Sequence, residues 1–350
     1  MMPAEMYFRE KIPVAILGAT GAVGQRFVQL LAQHPWFEIK ALAASERSAG
    51  KKYGDAVRWM LPTPIPPELA ALEVQPCEPT LPCSLVFSGL DARVAGDVEK
   101  AFAQAGYMVV SNCHNHRMDP TVPLLIPEVN PSHLSLLSHQ TTSGKIVTDP
   151  NCSVMGLAMA LKPLYDLFGL EAVHVVTLQA ISGAGYPGVP SLDILDNVIP
   201  YISGEEHKIE TEPLKILGSP SEPASFKISA HCTRVPVTDG HTACLSFQLK
   251  KPATADQIIE AWKTFRSEPQ TLRLPMAPEY PLHYFHEEAM PQPRLHRQLG
   301  QGMSVAIGRL RPCPLLGHKC VLLSHNTIRG AAGAAILNAE LLVQKGLVRW

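Results

Sequence analysis

Of the eight cysteines in the 350-residue chain, Cys152 is placed best for chemistry. It lies in Asp149-Pro150-Asn151-Cys152-Ser153, directly before a stretch in which Val154, Leu157, Ala158, Leu161, Leu164, Tyr165 and Phe168 share one helical face. The pattern predicts a helix beginning at the cysteine, with Pro163 expected to kink it or end it early. A helix N-terminus offers free N–H groups and the positive end of the backbone dipole, and both favour a thiolate over a thiol. An ordinary cysteine, with a pKa of about 8.5, is only a few per cent ionised at neutral pH. This position is expected to lower that value and so to supply a nucleophile. Downstream, Arg234 and His241 flank an Asp239-Gly240 turn, and His241 shares the face of an alternating strand with Ala243, Leu245, Phe247 and Leu249. An arginine there can clamp a carboxylate through two parallel hydrogen bonds, and a histidine can shuttle a proton near neutral pH.

The elements that must position these groups start with an apolar strand, Val14 to Leu17, running straight into Gly18-Ala19-Thr20-Gly21-Ala22-Val23-Gly24. Val23, Phe27, Leu30 and Leu31 then follow at helical spacing. Strand, glycine turn and helix together make a pyrophosphate cradle, because glycines permit close backbone approach and the helix start donates N–H groups. The spacing G-x-x-G-x-x-G departs from the commonest dinucleotide fingerprint. Further strands at Ile39 to Ala44, Leu85 to Ser88 and Tyr107 to Val110, with a helix over Val94 to Ala105, predict a doubly wound parallel sheet. After the second strand, Ser45, Arg47, Ser48 and Lys51 suit the 2′-phosphate of NADP, whereas Glu46 could serve the ribose of NAD; the cations favour NADP. Ser88 and Gly89 end a strand where nucleotide is expected. A second strand-like run, Val173 to Gln179, leads into Ser182-Gly183-Ala184-Gly185, whose glycines suit close approach to a ligand.

Composition limits the alternatives. Thirty Lys plus Arg against 31 Asp plus Glu give a formal charge of −1, which offers no bulk attraction to nucleic acid or an anionic membrane. No uncharged apolar run approaches membrane-spanning length, and the first residues, MMPAEMYFREK, do not read as a signal peptide. The cysteines show no C-x-x-C pair and no zinc spacing, so they are expected to be reduced thiols of a cytoplasmic protein holding no metal. With 46% hydrophobic residues the chain can fill two cores, divided as 1–150, joined by a C-terminal helix in 326–350, and 151–325.

TDPNCSVMG, QAISGAGYPGVPSLD, RVPVTDGHT and SHNTIRGAAGAAILNAELL together resemble aspartate-semialdehyde dehydrogenase, in its archaeal and fungal branch, and the likeness runs over nearly the whole chain. The resemblance implies an N-terminal Rossmann domain and an α+β catalytic and dimerisation domain similar to that of glyceraldehyde-3-phosphate dehydrogenase, with a C-terminal helix returning to the first domain. It implies NADPH-dependent reduction of L-4-aspartyl phosphate to aspartate semialdehyde and phosphate, on the route to lysine, threonine and methionine, by a homodimer or homotetramer. By that resemblance Cys152 forms a thioester, His241 acts as acid and base and activates the thiol, and Gln179 orients the thioester carbonyl. Asn151 lines the substrate site, and Arg234 takes the α-carboxylate. Arg117 holds the phosphate with Lys215, and Glu212 meets the ammonium. Glu205 and Lys208 repeat the spacing of Glu212 and Lys215, and spacing alone does not choose between the pairs. Asn326, with Ser182 and Gly183, is expected at the nicotinamide. Malonyl-CoA reductase and N-acetyl-glutamyl phosphate reductase would share the thioester chemistry but need a different pocket, and a non-catalytic dinucleotide sensor would keep the fold alone.

Overall fold

The computed structural model describes residues 10–348, and the first elements build a six-stranded sheet. β1 (Ile12–Leu17), β2 (Phe37–Ala44), β3 (Val74–Pro76), β4 (Leu85–Ser88), β5 (Met108–Ser111) and β6 (Lys145–Thr148) are all parallel, in the order β3-β2-β1-β4-β5-β6. Every residue of β4 and β5 is buried, as the near-continuous apolar runs require of strands covered on both faces. The order reverses between β1 and β4, and the crevice at such a switch point, beyond the strand C-termini, is where a nucleotide fits. α1 (Ala22–Leu31) starts at the glycine turn, and α2 (Ala92–Gln104) is capped by Asp91, whose side chain accepts from Arg93 N at 2.9 Å. The edge strands β3 and β6 were not legible in the sequence: one has three residues and ends in proline, the other four.

The second sheet is mixed. β7 (Leu170–Gln179), β8 (Lys227–Arg234), β9 (His241–Leu249), β10 (Leu282–Phe285), β11 (Val305–Cys313) and β12 (Gly317–Ser324) pair in the order β10-β11-β12-β9-β7-β8, parallel at β7–β8 and β10–β11 and antiparallel elsewhere. α3 (Cys152–Phe168), α4 (Glu205–Leu217) and α5 (Ala255–Thr264) pack with it around a core that includes Leu157, Leu161, Val175, Leu245, Phe247 and Trp262. Pro163 does not end α3 early. Leu161 and Leu164 on either side of it are fully buried, and that packing outweighs a lost backbone bond until Gly169, at φ 68°, stops the helix.

The chain then crosses back. A π turn (Ile328–Ala332) leads into α6 (Gly333–Gln344), whose Ile336, Leu337, Leu341 and Leu342 complete the core formed by Ile16, Phe87, Val110 and Val147 of the first sheet and Phe27 of α1. Among the described residues, no helix is long and apolar enough to cross a membrane.

Candidate active site

Strand register gathers one set of groups on a single edge of the second sheet. Gln179 at the end of β7 stands opposite Arg234 at the end of β8, and His241 at the start of β9 stands opposite Ser324 at the end of β12. The first turn of α3 meets this edge, where Cys152 Sγ lies 3.2 Å from His241 Nε2. The helix start is fixed by Asn151, whose side-chain oxygen accepts from Ser153 N at 2.9 Å. Two glycines allow the approach. A Cβ on Gly183 would stand 2.9 Å from Arg234 Nη1 and 3.1 Å from His241 Nε2, and one on Gly330 would stand 2.8 Å from the Cys152 Cβ. Gly330 was not recognised in the sequence, because its glycine run reads equally well as the entry to the last helix.

The surroundings reverse the expected ionisation of the thiol. Burial pushes Cys152 up to about 12, helped by the charge of Glu205 and opposed by Arg117, Arg234 and Lys208. Burial likewise pushes His241 down to about 3, with the Arg234 charge acting in the same direction. The helix N-terminus alone does not offset removal from water, so in this state the pair is a neutral thiol beside a neutral imidazole.

The carboxylates divide the neighbourhood in two. Glu205 accepts from Asn151 Nδ2 at 2.9 and 3.0 Å, Gln179 Nε2 at 3.1 Å and Lys208 Nζ at 2.9 Å. Burial opposes its charge, yet Lys208, Gln179 and Asn151 together hold its carboxyl below the usual range. Glu212 instead accepts from Arg117 Nη1 at 3.0 Å and from the Asn151 backbone N–H at 2.6 Å. Lys215 Nζ donates to the carbonyls of Arg117, Asp119 and Val122 at 2.7, 2.6 and 2.9 Å. Its three protons therefore have internal acceptors. The expected placement of Glu212 and Lys215 in the substrate pocket is thus corrected: Glu205 and Lys208 line the cavity, and the other pair clamps the loop that carries Arg117.

That cavity, of about 570 Å³, runs between the two sheets. Ala22, Val23 and Gly89 line one side, while Asn151, Gln179, Ser182, Gly183, Arg234 and Asn326 line the other, together with Cys152 and Arg117. Asn112 and His114, not singled out in the sequence, also border it. Asn326 Oδ1 accepts from Gly240 N and its Nδ2 donates to Ser182 Oγ, both at 2.8 Å, tying the two loops behind the site. At the glycine turn, Gly18 has φ +76° and a Cβ there would stand 2.7 Å from Gly89 O, while one on Gly24 would stand 2.1 Å from Gly18 O. Gly21 precedes the first residue of α1, and the Thr20 carbonyl accepts from Gln25 Nε2 at 3.0 Å. Ser88 departs from expectation. It is fully buried, its hydroxyl donates to Glu99 at 2.6 Å, and its side chain faces the interior rather than a nucleotide. Ser45, Arg47, Ser48 and Lys51 lie in the turn that follows β2, outside the cavity, with all but Ser48 exposed.

A family described as semialdehyde dehydrogenase, NAD binding domain, matches residues 13–137, and one described as semialdehyde dehydrogenase, dimerisation domain, matches residues 161–329. Aspartate-semialdehyde dehydrogenase of Cryptococcus neoformans is 48% identical over 97% of this chain and 99% of its own, and that of Archaeoglobus fulgidus is 48% identical over 96% and 99%. The chain belongs to the aspartate-semialdehyde dehydrogenase family. A crystal structure of the Candida albicans enzyme with NADP superposes at a TM-score of 0.90, with 45% identity, covering 97% of this chain and 100% of that one. The Rossmann sheet and the mixed second sheet are those the family resemblance implies. All eight cysteines are free.

Proposed function

We propose that this protein reduces L-4-aspartyl phosphate to L-aspartate 4-semialdehyde and phosphate with NADPH, in the pathway to lysine, threonine and methionine. The observation that carries the reading is a cysteine 3.2 Å from a histidine, in a cavity bordered by a carboxylate, two arginines and a lysine, within this family's fold. Cys152 attacks the acyl phosphate, and a thioester replaces one difficult displacement with two easier steps. Arg234, whose Nη1 is held by the Ala180 carbonyl at 2.7 Å, presents its remaining donors to the α-carboxylate. Glu205 takes the α-ammonium in place of Lys208, which then turns with Arg117 toward the phosphate. Gln179 and the Cys152 backbone N–H face the acyl oxygen.

NADPH, when bound, supplies the hydride. The narrow cradle of Gly18, Gly21 and Gly24, with Thr20, Ala22 and Val23, fits its pyrophosphate, and the turn bearing Ser45, Arg47, Ser48 and Lys51 fits a 2′-phosphate. Ser182, Gly183 and Asn326 face the nicotinamide end. The division of the chain into 1–150 with 326–350, and 151–325, follows the two sheets and the returning helix. Pairing of two copies, as a dimer or a dimer of dimers, suits the exposed Leu192, Leu195, Val198 and Tyr201. A cytoplasmic location suits eight free thiols.

Aspartate semialdehyde with NADP and phosphate provides the test. Turnover that requires phosphate and vanishes in Cys152→Ala is expected. Turnover with malonyl-CoA or N-acetyl-glutamyl phosphate but none with the aspartyl substrate would replace this reading with that of a related acyl reductase.

A further inference from the structure

A second cavity, of about 270 Å³, lies beside the catalytic one. The two share Ala22, Ser182, Gly185 and Thr327 as walls, but Cys152, Gly183 and Asn326 border only the first. Arg26 of α1 enters the lining from one side of the molecule, and Asp239, in the turn before β9, enters it from the other. The reaction argued above makes no use of this space. Its size is below the roughly 300–1,000 Å³ of pockets for drug-sized ligands and suits a smaller molecule.

The charges in it are unspent. Arg26 is only 9% exposed, yet its Nη1 donates to the neutral Gln29 Oε1 at 2.7 Å and its buried Nε has no hydrogen-bond partner. Burial lowers its pKa, and the charge of Asp239 opposes that. Among the described residues no ion pair joins the two. A guanidinium withdrawn from water without a counter-ion is costly, and its planar fork is shaped to receive a carboxylate. Asp239 is half-buried, and Arg297 Nη1 donates at 3.3 Å to its backbone carbonyl rather than to its carboxylate. His325, which also feels both charges, is pushed down to about 4, chiefly by burial, and so is neutral at pH 7. One cavity thus holds an anion and a cation that do not satisfy each other, and the lining around them includes the apolar Met60, Leu61 and Val189.

We propose that this cavity binds a free α-amino acid with an apolar side chain, its carboxylate on Arg26, its ammonium on Asp239 and its side chain against Met60, Leu61 and Val189. Arg26 belongs to the unit built on the first sheet and Asp239 to the unit built on the second, so the bound amino acid bridges the two. It also braces the loop of residues 181–189, whose Ser182 hydroxyl accepts from Asn326 Nδ2 at 2.8 Å beside the catalytic cavity. Arg58 packs at the same loop, its guanidinium carbon 5.1 Å from the centre of the Tyr186 ring.

Calorimetric titration of the enzyme saturated with NADP, with L-leucine as the probe, tests the site. A Kd of about 1 mM or tighter is expected. Leucinamide, which lacks the carboxylate, and 4-methylpentanoate, which lacks the ammonium, should each bind at least about tenfold more weakly. Arg26→Met and Asp239→Asn should weaken leucine by a similar factor of about ten or more. Val189→Trp, which fills the cavity and leaves both charges in place, should abolish binding whether or not an Arg26 variant folds. Glu205→Gln, altered in the catalytic cavity instead, should leave leucine affinity within about twofold of wild type. No heat of binding up to about 10 mM leucine would overturn the proposal. So would equal binding of 4-methylpentanoate, which marks a plain carboxylate site, or leucine binding that NADP abolishes, which marks part of the cofactor site. Loss of binding in Glu205→Gln but not in Asp239→Asn would overturn it too, by placing the amino acid beside Cys152.

Discussion

Two turns of α4 carry the same pair of residues, glutamate with lysine three positions later, and the fold gives the pairs opposite duties. A separation of seven residues returns almost to the same helical face, about 20° short of two full turns and about 10 Å along the axis. Glu205 and Lys208 therefore arrive at the cavity, whereas Glu212 and Lys215 arrive at the loop from Arg117 to Val122. Periodicity fixes which face a residue is on. Its partners, drawn from elsewhere in the chain, decide whether it can meet a ligand.

The sharpest way to break this contrast is Glu212→Ala. Arg117 and Glu212 form a buried pair with side-chain exposures of 8% and 3%, so truncation leaves a buried guanidinium without its counter-ion. Chemical denaturation should show a loss of about 3–5 kcal/mol. Glu205→Gln should instead raise the KM for aspartate semialdehyde roughly 10- to 150-fold, the equivalent of about 1.5–3 kcal/mol for one charged hydrogen bond, with a smaller loss of stability than Glu212→Ala. If the effects came out exchanged, the assignment of the pairs would be wrong. Lys215→Met leaves three carbonyls without their donor and should destabilise by about 1–3 kcal/mol, read from the same denaturation curves. Lys208→Met, from a partly exposed pair, should change stability by less than about 1 kcal/mol while weakening phosphate use.

The one effect read against pH concerns Asp149, a buried carboxyl with amides rather than a cation as its hydrogen-bond partners. Asn112 Nδ2 donates to it at 3.2 Å and Asn338 Nδ2 also donates, while burial pushes it up to about 8 against the pull of Arg117. Its value when folded exceeds the ordinary value of about 3.9, so its contribution to stability is complete below about pH 4 and is lost as pH rises through about 8. Wild-type stability should carry from this group a downward slope of about 1 kcal/mol per pH unit between roughly pH 5 and 8. Asp149→Asn should remove that slope in a pH series of melting curves.

What the sequence revealed follows the range of the interactions involved. The glycine cradle, the cysteine at a helix start and the Arg234 to His241 turn were legible because each is built within about ten residues of chain, where spacing and φ requirements speak directly. The choice between the two glutamate–lysine pairs was not, since it depends on Arg117 and three carbonyls nearly a hundred residues away. Ser88 was misread for the same reason. It does end a strand at the nucleotide crevice, but Glu99 of α2 draws its hydroxyl inward. The direction of the thiol's ionisation was missed because a helix start is a local feature and desolvation is a property of the whole site.

The return of α6 also orders the protein's birth. Strands β1 to β6 leave the ribosome about 200 residues before the helix whose Ile336, Leu337 and Leu341 close their core. At ordinary elongation rates that leaves an unsealed apolar face for about 10–40 s. The N-terminal sheet is thus made first and finished last, and during that interval the nascent chain is a natural client for a chaperone.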